Sequence, residues 1–134
     1  MDKVEHIGIA VRNLKNAVSV YERLLGCTSY KKETVDSENV VTEFFKVGDT
    51  KIELLEATSE TSAITSFIEK RGEGIHHIAF EVDDIVAEME RLKNEGFILL
   101  NEIPKKGADN KLVCFVHPRS AHGVLIELCQ EIND

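Results

Sequence analysis

Two histidines and two glutamates stand where the chain otherwise runs apolar: His6 in VEHIGIAV, Glu53 in KIELL, His77 in HHIAFEV and Glu127 in VLIELC. Imidazole and carboxylate are ligands of borderline and hard divalent ions, and no thiolate accompanies them to demand a softer metal. The set suits one divalent ion, Co²⁺, Ni²⁺, Zn²⁺ or Mn²⁺, with water or substrate oxygens filling the remaining positions. Such an ion polarises a carbonyl as a Lewis acid, which is the help needed to remove a weakly acidic proton alpha to it.

The four residues belong to short strands, read as Val4 to Val11, Lys51 to Leu55, His76 to Val82 and Val124 to Cys129. Side chains alternate faces along a strand. Ile7, Ile9 and Val11 therefore oppose His6, and Ile52 and Leu54 oppose Glu53. In the second pair of strands, Ile78, Phe80 and Val82 oppose His77, while Val124, Ile126 and Leu128 oppose Glu127. Two imidazoles and two carboxylates share one face, and the other is apolar enough to lie under helices. Parity also separates neighbours: His76 falls on the face of Ile78 and Phe80, so His77 is the ligand and His76 points toward the helices or the strand end. His117 and His122 sit in or beside the closing hairpin and read as substrate-loop or surface residues. Glu43 stays open, because a two-residue turn at Gly48-Asp49 pairs Phe44 with Glu53 and turns Glu43 away, whereas a three-residue turn brings it inside.

The connecting segments repeat. After the first strand, Asn13 is a helix cap followed by Leu14, Val18, Tyr21 and Leu25 at helical spacing, and Gly26 ends the helix. A bent strand near Thr28 to Thr34 and a hairpin across Gly48-Asp49 complete the first half. The second half begins again with HIAFEV over HIGIAV, Asp84 in the place of Asn13, a helix from Ile85 to Glu95, a strand near Phe97 to Asn101 and a loop from Pro104 to Asn110. Two ligand positions and two caps recur together, which marks an internal repeat. The expectation is an α+β fold of two tandem βαβββ modules in one domain, residues 1–134, with module one at about 1–57, a linker with a short helix at about 58–74, and module two at about 75–134.

Composition narrows the partners. With 16 basic and 24 acidic residues the net charge is -8, and there is no Lys/Arg block, which argues against a nucleic-acid or membrane-surface partner. No signal-peptide h-region appears, nor any apolar run near the ~18 residues a spanning helix needs, so a cytoplasmic protein is expected. Cys27, Cys114 and Cys129 are odd in number and unpaired in sequence, the pattern of reduced core thiols. Exposed sheet edges predict a homodimer.

The repeat, with GIHHIAFEVDDI and FVHPRSAHGVLIEL, resembles the vicinal oxygen chelate (glyoxalase/bleomycin resistance) superfamily over essentially the whole chain. Within it the likeness is greatest to the methylmalonyl-CoA epimerases, with glyoxalase I (lactoylglutathione lyase) a near relative. The resemblance implies that the eight strands form a half-open cup with helices outside and that His6, Glu53, His77 and Glu127 occupy the four metal positions. It further implies a thioester substrate, CoA or a glutathione conjugate, whose alpha proton is moved through a metal-bound enediolate. Glu127 and Glu53 would carry that proton if one loosens from the ion. Lys105, Lys106, Lys111 and Arg119 are the cationic candidates for substrate phosphates or a carboxylate. The alternatives are a glyoxalase I acting on the methylglyoxal-glutathione hemithioacetal and a non-catalytic drug-binding protein, which retention of four ligands disfavours.

Overall fold

Strand gives way to helix at Asn13 and again at Asp84, and both caps form. Asn13 accepts a hydrogen bond from the Asn16 N–H at 3.0 Å, and Asp84 accepts one from the Ala87 N–H at 3.1 Å. Gly26, at φ 72°, ends the first helix in the left-handed region that glycine favours. The structure is a computed structural model and describes residues 1–133. The elements are β1 (Lys3–Ala10), α1 (Leu14–Leu25), β2 (Lys31–Val35), β3 (Val40–Val47), β4 (Thr50–Ala57), α2 (Ala63–Arg71), β5 (Gly74–Glu81), α3 (Ile85–Asn94), β6 (Lys105–Lys106), β7 (Lys111–Val116) and β8 (Ile126–Glu131). This is the expected α+β pair of βαβββ modules. No helix among the described residues is long and apolar enough to cross a membrane.

The chain divides into two compact units, His6–His76 and Met1–Glu5 with His77–Asp134. In the first, the strand order is β2-β3-β4-β1, with β1 parallel to β4 and the rest antiparallel. In the second, β5-β8-β7-β6 repeats the pattern, with β5 parallel to β8. The start of the chain belongs to the second unit, where the Asp2 N–H donates to the Glu81 carbonyl at 2.9 Å.

Each module buries one face of its strands under a helix, as the alternation requires. Ile9, Val11, Phe45, Ile52 and Leu54 pack with Leu14, Val18, Tyr21 and Leu25 of α1. Val82, Cys114, Val116 and Leu128 pack with Ile85, Met89 and Leu92 of α3. The segment read as a linker does more than connect. Ile64, Phe67 and Ile68 of α2 pack on Ala10, Val40, Leu55 and Ala57, so α2 covers the face opposite to α1.

Two local expectations change. The strand expected near Phe97 to Asn101 is reduced to one bridge, Leu99 to Val116, because the Asn101 side chain takes over the ladder. Its Nδ2 donates to the carbonyls of Ile103 and Val113 at 2.7 and 3.3 Å, and its Oδ1 accepts from the Phe115 N–H at 3.0 Å. The partner of β7 is instead the two-residue β6, inside the segment expected to be loop. Cys114 and Cys129 are buried free thiols as expected, but Cys27 is exposed, since it follows the Gly26 cap in the turn that leaves α1.

Candidate metal centre

In the first module, β1 and β4 pair with Gly8 opposite Glu53, which puts Glu53 on the face of His6. His6 Nδ1 lies 3.0 Å from Glu53 Oε2. The turn at Gly48-Asp49 has two residues, Val47 pairs with Thr50, and Phe44 stands opposite Glu53. This decides Glu43: it pairs with Leu54 on the α1 side, where its carboxylate accepts a 2.6 Å hydrogen bond from the Ser29 hydroxyl. On the Glu53 face the row continues outward to β2, where Lys31 pairs with Phe44 and holds Nζ 5.2 Å from the ring centroid. Lys31 also lies 3.5 Å from Glu33.

The second module builds the same row from different loops. His77 Nε2 lies 3.2 Å from Glu127 Oε1. Phe115 pairs with Glu127 and sets its ring edge-on to His77, with centroids 6.0 Å apart. Lys105 of β6 places Nζ 5.7 Å from the Phe115 centroid. Each module thus presents histidine, glutamate, phenylalanine and lysine in order across neighbouring strands. Lys105 was a sequence candidate. Lys31, Phe44 and Phe115 were missed, and the available signal was the strand pairing itself, which places Phe44 opposite Glu53 and Phe115 opposite Glu127.

The other candidates separate by position. Lys111 is buried, with Nζ 3.8 Å from Glu131, while Lys106 and Arg119 are exposed. His76 turns away from His77 and sets its ring edge-on to Phe67 of α2, centroids 5.0 Å apart, where burial lowers its pKa to about 4. His117 accepts a hydrogen bond from the Arg119 N–H at 3.0 Å and caps the turn Pro118–Ala121, which His122 closes at φ 55°. Both are loop residues. Glu5, next to His6, is buried without having been singled out, and one of its oxygens lies within 4.8 Å of Cys129 Sγ.

The pairs fit a divalent ion. Metal–ligand bonds of about 2.0–2.2 Å meeting at a right angle place two donor atoms about 3 Å apart, and the imidazole–carboxylate separations are 3.0 and 3.2 Å. His6, Glu53, His77 and Glu127 are 3–6% exposed, so water competes little for the ligands. Nitrogen and carboxylate donors suit a borderline or hard divalent ion.

A duplicated βαβββ module with a buried imidazole–carboxylate pair on the face away from its first helix defines the vicinal oxygen chelate class of protein. The chain belongs to the glyoxalase/bleomycin resistance protein/dioxygenase superfamily, whose model matches residues 5–115. It is 39% identical over 134 residues to an uncharacterised protein of Bacillus subtilis, covering 100% of this chain and 96% of that one. It is 40% identical over 130 residues to the ethylmalonyl-CoA/methylmalonyl-CoA epimerase of Cereibacter sphaeroides, covering 96% of this chain and 97% of the relative. The methylmalonyl-CoA epimerase of Streptomyces coelicolor, solved in complex with 2-nitronate-propionyl-CoA, superposes with a TM-score of 0.94 at 32% identity, covering 98% of this chain and 95% of that one.

Proposed function

We propose that the protein is a divalent-metal-dependent epimerase that moves the alpha proton of an acyl-CoA thioester, with methylmalonyl-CoA as substrate. The observation that carries this reading is the duplicated, buried imidazole–carboxylate pair, found in a chain whose relatives include methylmalonyl-CoA epimerases. In this reading His6 with Glu53 in one module and His77 with Glu127 in the other would be the metal ligands. The ion, when bound, supplies charge stabilisation at the substrate oxygen that becomes negative as the alpha proton leaves.

The chain's own groups do the rest. Epimerisation needs a base on each side of the carbon, because the proton departs from one face and returns to the other. Glu127 would take the proton on one face and Glu53 would serve the opposite face, if one of them loosens from the ion. Phe44 and Phe115 flank the carboxylates and keep bulk water from competing for the proton. Lys31, Lys105 and the buried Lys111 bind the anionic parts of the substrate, its carboxylate and the phosphates of its carrier.

The test uses metal-loaded protein with (2R)- and (2S)-methylmalonyl-CoA in D₂O, and in parallel with methylglyoxal plus glutathione. Deuterium appears at the alpha carbon of both CoA epimers, and the glutathione mixture does not turn over. Turnover of the hemithioacetal without exchange of the CoA ester overturns the assignment.

A further inference from the structure

We infer that the Thr42 hydroxyl binds substrate, donating a hydrogen bond to the thioester oxygen that gains charge as the alpha proton leaves. The inference rests on the epimerase reading above and adds a residue to it. Thr42 lies on β3 two positions before Phe44 and pairs with Leu55, so it shares the face of Glu53. It is 1% exposed, as deep as the glutamate at 3%. Its Oγ1 is the one buried side-chain oxygen or nitrogen among the described residues without a hydrogen-bond partner. A buried hydroxyl in that state destabilises the fold, so its presence calls for a reason.

The second module supplies the control. Phe115 pairs with Glu127 as Phe44 pairs with Glu53, and two residues earlier Val113 pairs with Cys129 as Thr42 pairs with Leu55. Valine is the same shape as threonine without the hydroxyl. At Val113 it packs with Ala79, Cys129 and Phe115, so this place in the module is filled well by a methyl group. Thr42 pairs with Leu55, which belongs to an apolar cluster with Ala10, Val40 and Ile64. Packing does not ask for the oxygen. A ligand that reaches Glu53 brings oxygen atoms to this face, and a neutral donor fixed there in an apolar wall stabilises a developing negative charge without itself ionising.

Thr42→Val and Thr42→Ser separate the two roles, because they move stability and activity in opposite directions. Removing the orphan hydroxyl with shape retained raises the unliganded Tm by about 3 °C or more. The same change lowers kcat/KM by about 10- to 100-fold, the value of a hydrogen bond to a charged group, with the loss falling on kcat. Thr42→Ser keeps the donor and drops a methyl: its Tm falls, and its kcat stays within about threefold of wild type. Metal content, read by elemental analysis, is the same in all three proteins. A valine variant with wild-type kcat overturns the inference while leaving the epimerase reading intact. Equal loss of kcat in both variants also overturns it, since the hydroxyl is then not what matters. Wild-type protein that exchanges no alpha proton removes the epimerase reading, and this inference with it.

Discussion

In the first module the site face ends in Ala10, Val40 and Leu55 and is covered by α2. In the second, the positions equivalent by pairing are Glu81, Lys111 and Cys129, and no helix follows β8 among the described residues. The buried residue at one such position is thus Val40 in one module and Lys111 in the other. The rows from histidine to lysine are shared, and what surrounds them is not. A duplicated fold has kept the imidazole–carboxylate pair in both copies while giving apolar cover to one and a buried lysine to the other.

The comparison breaks most visibly at the proton. Glu127→Gln keeps an oxygen ligand of the same shape without its basicity, so metal stays while turnover falls by about 10² to 10⁴-fold. Glu53→Gln blocks exchange from the opposite epimer. Deuterium incorporation starting from each pure epimer checks the pair, and if both variants fail on the same epimer the division between modules is wrong.

Metal affinity comes next. His6→Ala and His77→Ala each weaken binding by more than the about 10 to 100-fold typical of changes to groups that merely support the ligands. Titration calorimetry compares the modules directly, and an intact affinity in either variant removes that module from the site.

Lys111→Val tests whether charge or packing holds the second module's end. KM for the CoA ester rises about 10-fold with kcat little changed, and the Tm holds or rises because a buried cation with one 3.8 Å partner is replaced by an apolar group. The reciprocal Val40→Lys places a charge under α2 and lowers the Tm sharply in thermal melts. Smallest is His76→Ala, which loses the contact with Phe67 and costs a few degrees of Tm at full metal content. Metal loss there reverses the parity used to choose His77.

Much of this was legible in the chain. Strand alternation put His6, Glu53, His77 and Glu127 on their face and separated His77 from His76, because parity depends only on being a strand. Asn13 and Asp84 were readable as caps because capping is local. Glu43 was not decided by sequence, since its face hangs on whether the Gly48-Asp49 turn has two residues or three, and a register shift of one residue exchanges the faces. The rest required the tertiary structure. Lys31 beside Phe44 and Lys105 beside Phe115 are cross-strand neighbours, and which residues face each other across strands follows from register. The apolar stripe of α2 announced a helix without saying which face it would cover. Thr42 looks in sequence like any strand threonine, and only the packed neighbours around its hydroxyl show that nothing in the fold uses it.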